Sequence, residues 1–184
     1  ALLYNAETWT LTEALEGERR DTPRGLRVAM LLQKLAQVAL KRGDPARAES
    51  LLLEALDIQE SEDGAGSVEF AEGLVGLAEA RAASGDAAGG VDAALRAEAS
   101  AREQLRAVVR SLSEREALAF AASRPAGLAI ALRLLAEGAA PARERAVDIL
   151  DSVVRSRALV PDEMASRSRL ASEKNGELIC TDCA

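Results

Sequence analysis

Cys180 and Cys183 form a CxxC near the end of the sequence. That spacing serves half of a structural zinc site or a redox pair. A structural zinc needs four ligands, and the sequence has no second CxxC and no histidine. A redox pair needs a helix N-terminus beside a strand, and neither is indicated here. The CxxC is therefore read as part of a tail. Glu60, Glu62 and Asp63 cluster their charge, but a calcium loop needs alternating oxygen ligands, a turn glycine and a closing Glu. They read as a solvated loop. The serines have no histidine base, and only Lys34, Lys41 and Lys174 are present to form a Ser–Lys pair. Gly89-Gly90 follows no strand and has no GK[ST], so it does not cradle a phosphate. No carboxylate pair is marked for acid–base work. The expectation is no catalytic residue, no cofactor and no metal ligand.

The elements that carry these residues are helices. The chain has 184 residues and a net charge of −7. It is 48% hydrophobic but only 2% aromatic. About a fifth of it is Ala, with Leu next. Ala has the highest helix propensity and lets helix axes approach closely. β-branched residues never alternate, so strands have no support. Few aromatics and a negative balance argue against a nucleic-acid partner. No apolar run is long enough to cross a membrane. The first residues lack the basic start and apolar stretch of a signal peptide. The sequence begins without Met and is read as part of a longer protein. The excess of Arg over Lys, with abundant Ala and Gly, resembles the coding bias of a GC-rich bacterium. A cytoplasmic location is expected.

Sliding the sequence by 42 residues brings Ala29 onto Ala71, Leu32 onto Leu74, Leu35-Ala36 onto Leu77-Ala78 and Gly43-Asp44 onto Gly85-Asp86. Ala46, Leu53 and Ala55 meet Ala88, Leu95 and Ala97. Shared composition does not readily supply the Gly-Asp coincidence. In the first copy Ala29, Leu32, Leu35, Ala36 and Ala39 make one apolar helical face. Gly43 ends that helix, Asp44 caps the next and Pro45 opens it. Ala48, Leu52 and Ala55 form the second face. In the second copy Gly90 and Ala94 replace Ala48 and Leu52, so its second helix should pack thinly. Neither helix buries its stripe alone, so pairs must stack.

Leu35-Ala36, Gly43-Asp44, Ala48, Leu52 and Ala55 resemble the tetratricopeptide repeat (TPR), with a longer loop between pairs. Asn5–Glu18 looks like the second helix of an earlier, truncated repeat in which Trp9 packs between helices, and Thr22-Pro23 caps the next helix. The resemblance covers roughly residues 5–110. It implies that the first helices line a concave wall. Met30, Gln33, Lys34, Gln37, Leu40 and Lys41 would line it in the first repeat. Glu72, Val75, Glu79 and Ala82 would line it in the next. Such a groove suits an extended peptide or a helix.

Beyond residue 110 the 42-residue register fails. Ser113 and Glu116 form a capping box that starts a helix to about Ser123. Gly127–Glu137 is helical and Gly138 ends it. Pro141 starts a long helix with Val147, Leu150, Val153, Val154 and Ala158 on its apolar side. Pro161 should interrupt that helix near its end, with Asp162–Leu170 continuing as helix, and 173–184 should be a disordered tail. Arg143, Arg145, Arg155, Arg157, Arg167 and Arg169 are read mainly as a solvated, ion-paired face and alternatively as a docking face. The stretch Val153–Arg169, with "SEREALAF" before it, resembles the connector that precedes a CHAT domain, a caspase-like peptidase module of bacteria. Pro161 departs from that pattern. The family's catalytic His and Cys have no counterpart in this chain.

The expected fold is all-α, a right-handed α-solenoid of antiparallel helix pairs with about eight or nine helices. The expected units are TPR-like repeats over 1–110 (a partial one over 1–22, then about 23–66 and 67–110) and a diverged cap over 111–172. The expected function is a non-enzymatic protein–protein interaction scaffold, and the CHAT resemblance implies the partner-binding arm of a bacterial protease. The partner would be a protein or peptide. The alternatives are a helical oligomerisation module, with small residues near Ala82–Ala94 meeting a second copy, and a helical-bundle enzyme or ligand-binding domain.

Overall fold

The computed structural model describes residues 24–62, 67–109, 111–123 and 127–181, with side chains as far as Arg169. Eight helices make up the described residues, which include no strand. They are α1 (Arg24–Lys41), α2 (Pro45–Glu62), α3 (Val68–Ser84), α4 (Ala87–Val109), α5 (Glu114–Ala122), α6 (Gly127–Ala136), α7 (Ala140–Glu144) and α8 (Ala146–Thr181). The all-α expectation is met. The expected partial repeat over 1–22, Trp9 within it and the Thr22-Pro23 cap lie outside the described residues.

Three tight turns set the architecture. Gly43, Gly85 and Gly138 have φ of 76°, 88° and 77°, a region that disfavours a side chain. In each turn the glycine N–H donates to the carbonyl three residues back, at Leu40, Ala82 and Leu135. The next N–H donates to the carbonyl five back, at Ala39, Arg81 and Leu134. This doubled bond satisfies carbonyls that the helix end leaves open. Asp44 Oδ1 then accepts from Arg47 N at 3.1 Å, and Asp86 Oδ1 from Gly89 N at 2.9 Å. The third turn lacks the aspartate and uses Pro141 in the first turn of α7.

Packing follows chain order. α1 packs on α2, α2 on α3, α3 on α4 and α4 on α6, while α1 also touches α3 and α3 touches α6. Leu26 N donates to Glu62 Oε2 at 3.2 Å, so the start of α1 lies beside the end of α2 in an antiparallel pair. One continuous core runs from Ala36, Ala48 and Leu52 through Leu74, Leu77 and Val91 to Ile130, Leu134 and Ile149. Each fully buried Leu there contributes about 1.5–3 kcal/mol by leaving water. A second cluster joins Leu105, Val109, Ala117 and Val160 where α4, α5 and α8 meet.

Several expectations are corrected. Leu35, assigned to the inward face of α1, points outward; Ala29, Gln33, Ala36 and Ala39 are the buried set. Small residues let α2 approach, and the larger ones are left on the far side. α4 is not thinly packed: Gly90, Ala93 and Ala94 are buried within the chain, so they offer no face to a second copy. A methyl group on Gly90 would lie 3.3 Å from Leu134 Cδ1, because α6 fills the space that small residues leave.

The long C-terminal helix also differs. Arg145, whose backbone leaves the helical region, breaks it between α7 and α8. Ile149 is buried, Val153 and Ala158 are half-buried, and Val147, Leu150 and Val154 are exposed. Pro161 lies inside α8 without ending it. Proline removes one helix hydrogen bond and crowds the carbonyl of Arg157. Val160, Leu159 and Met164 pack on the Leu105–Val109–Ala117 cluster on both sides of it, which holds the turn. The backbone over the expected tail continues as α8 through Thr181; extending an existing helix needs no new nucleus.

Candidate functional site: a groove along α1, α3 and α6

Because α1, α3 and α6 touch in succession, they form one wall. A cavity of about 470 Å³ opens on it, lined by Leu40 of α1, Glu79, Ala82 and Ala83 of α3, and Ala129, Ile130, Arg133 and Leu134 of α6, with Glu137 just beyond. Leu40, Ile130 and Leu134 are at least partly buried and supply an apolar floor. Glu79, Arg133 and Glu137 are exposed and supply charges of both signs at the rim. This mixture suits a chain with apolar anchors and polar groups on its solvent side.

The sequence placed Leu40, Glu79 and Ala82 here, and the structure brings them together. Gln37, Leu40 and Glu72 also border a smaller cleft of about 20 Å³, with Gln33 at its floor. Met30, Lys34 and Lys41 are exposed on α1 and line neither opening. Val75 packs against the core.

Gln33 is the clear correction. It is only 8% exposed, and its Nε2 donates to Gln59 Oε1 at 3.2 Å and to the Glu69 carbonyl at 2.8 Å. A buried acceptor from α2 and a part-buried one from α3 thus hold it inside, where it ties three helices together.

Sequence reasoning missed the α6 residues. The signal was present: Ile130-Ala131 stands before Gly138 as Leu35-Ala36 stands before Gly43 and Leu77-Ala78 before Gly85. The insertion of α5 lengthens the offset from 42 to 53 residues and hides the third hairpin.

The arginines of the C-terminal third are partly committed to the fold. Arg145 Nε pairs with Asp148 at 2.6 Å and Arg155 Nε with Asp151 at 2.7 Å. Arg167 donates to the Leu112 carbonyl at 2.9 Å and to the Val109 carbonyl, closing the end of α4. Away from the groove, burial pushes the Arg102 guanidinium below its ordinary value, opposed by the Glu98 carboxylate. Hydrogen bonds from the Ser113 side chain and backbone hold Glu116 below the usual carboxylate range.

Among the described residues no three or more His, Cys, Asp or Glu side chains gather as a metal site would require. Only the backbone of Cys180 is described, and Cys183 lies outside the described residues. No single helix among the described residues is long and apolar enough to cross a membrane. Comparison with protein-family models, curated proteins and solved structures finds no match. The TPR and CHAT resemblances therefore rest on the residues quoted above.

Proposed function

We propose that this chain is a non-catalytic protein–protein interaction scaffold whose helix pairs wind as a right-handed, TPR-like α-solenoid. It takes an extended peptide or a helix of a protein partner along α1, α3 and α6. The observation that carries this reading is the cavity of about 470 Å³ lined by the first helices of three successive hairpins. Three glycine turns closed by the same pair of backbone hydrogen bonds support the repeat reading. On the connector resemblance, the scaffold is the partner-binding arm of a CHAT-type bacterial protease, and deleting residues 29–110 from that parent would alter its regulation or partner choice.

The test is selection of short linear peptides on the folded chain, with counter-selection on an Ala83→Arg/Ala129→Arg variant that blocks the groove. Recovered peptides should lose at least about tenfold in affinity on the variant, a difference of ~1.4 kcal/mol. Peptides that bind both proteins equally would rule the groove out. The exposed stripe Val147, Leu150 and Val154 on α8 favours a second reading, a helical oligomerisation module. Solution mass that rises with concentration would support it.

A further inference from the structure

The outward face of α1 carries Val28, Leu31, Leu35 and Val38 at helical spacing, 41%, 64%, 56% and 45% exposed. α1 turns its other side, with Gln33 and Leu40, to the cleft it shares with α3. α2 turns Leu56 and Leu52 to α3, where methyl groups on Gly73 and Gly76 would meet them at 2.9 and 3.0 Å. The sides of α1 and α2 that face away from α3 therefore lie next to each other. On α2 that side holds Leu51, Glu54 and Ile58, one row at helical spacing. Leu51 and Ile58 are half-buried and extend the apolar stripe of α1.

Charge is divided across this hairpin. α1 has four bases, Arg24, Arg27, Lys34 and Lys41, and no acid. α2 has five acids, Glu49, Glu54, Asp57, Glu60 and Glu62, and one base, Arg47. At 100° per residue, Lys34 and Lys41 fall on the edge of α1 away from α2. Asp57 and Glu60 fall on the edge of α2 away from α1. All four are exposed. The face thus has an apolar centre, a basic edge and an acidic edge.

Such a face is complementary to itself. A two-fold axis parallel to the helices lays α1 of one copy on α2 of the other and each basic edge on an acidic one. An axis across the helices would set α1 on α1 and bring like charges together. Rotation about the parallel axis leaves every residue at its own height. Within one hairpin Leu26 N meets Glu62 Oε2 and Gln33 Nε2 meets Gln59 Oε1, each at 3.2 Å. Lys34 is therefore level with 54–58, the stretch that holds Asp57. Two 18-residue helices side by side offer a face of about 27 by 20 Å, or about 1,000 Å² over both copies, the lower bound of a specific interface.

We infer that this chain pairs with a second copy of itself as a weak two-fold dimer through the α1–α2 hairpin. The Leu31–Leu35 stripe of each copy packs on Leu51 and Ile58 of the other, and Lys34 faces Asp57 across both edges. The pairing uses neither the groove nor the Val147–Val154 stripe of α8, so its readout is separate from peptide binding.

Sedimentation equilibrium of the intact chain over micromolar to millimolar concentration tests it. The mass should rise from one chain toward two and stop there. Leu31→Asp/Leu35→Asp should weaken pairing at least about tenfold, as should Lys34→Glu alone and Asp57→Lys alone. An equimolar mixture of the Lys34→Glu and Asp57→Lys proteins should pair as well as the wild type, because both edges then join opposite charges. A wild type that stays monomeric throughout would overturn the inference. So would a mixture that pairs no better than its components. Pairing that survives the hairpin substitutions but is lost in Val147→Asp/Val154→Asp would assign the contact to α8 and overturn it as well. Should Leu31→Asp/Leu35→Asp unfold the hairpin, the two exposed charge variants and their mixture decide.

Discussion

Gly127→Ala should destabilise the protein even though alanine is the better helix former. Gly127 is the first residue of α6 and is buried against α4. An added methyl group would lie 2.6 Å from the Ala94 carbonyl oxygen, 3.0 Å from Ala97 Cβ and 3.3 Å from Glu98 N. Backbone atoms of α4 cannot turn aside as a side-chain tip does. α6 must therefore withdraw, and Ile130 and Leu134 lose contact with the core they enter. Overpacking of this kind costs about 1–3 kcal/mol. The propensity gain is at most ~1 kcal/mol and is smaller at a first helical position. A net loss of about 1–2 kcal/mol lowers the melting temperature by ~2–8 °C in a chain of this size. Urea unfolding followed by circular dichroism should show a lower midpoint at unchanged slope. Gly76→Ala is the control, because its nearest neighbours are side-chain methyls of Leu52, at 3.0 and 3.4 Å, rather than backbone atoms. That variant should stay within about 0.5 kcal/mol of the wild type or exceed it. A Gly127→Ala protein as stable as the wild type would refute the close approach of α6 to α4.

Two more outcomes follow from the same packing. Gln33→Leu keeps the bulk but strips the donor from Gln59 Oε1 and the Glu69 carbonyl, so urea unfolding should show a loss of about 1–3 kcal/mol. Ser113→Ala removes the cap of α5 and should cost about 0.5–2 kcal/mol. The same cap makes a pH prediction. The folded pKa of Glu116 is depressed, so its contribution is present above the ordinary glutamate value and is lost as pH falls through the depressed one. Carboxyl-carbon NMR should find Glu116 titrating below the ordinary range in the wild type and moving back up in Ser113→Ala. Identical titrations would contradict the assignment.

The parts of the fold that were legible in the sequence are those set by local chemistry. Gly43, Gly85 and Gly138 were read as helix ends, and each carries the left-handed turn. Asp44 caps through a residue three positions on, and Ser113 with Glu116 closes a reciprocal box. The parts that were not legible depend on what lies across a helix. α1 has two apolar stripes, and hydrophobicity alone favours the larger residues, yet the alanine side faces α2 because it permits the closer approach. Gln33 resembled a groove residue until two acceptors from other helices closed over it. The α6 wall was hidden by the insertion of α5, and the buried side of α8 by the break at Arg145. Of the candidate site, Leu40, Glu79 and Ala82 were found from repeat position, and the α6 half required the third hairpin to be seen.

The most direct test of the scaffold reading is amide chemical-shift mapping with a groove-selected peptide. The shifts should concentrate at Leu40, Glu79, Ala82, Ala129 and Arg133, on three helices distant in sequence and adjacent in space. Shifts confined to α5 and the outer side of α8, with the groove residues unmoved, would contradict it.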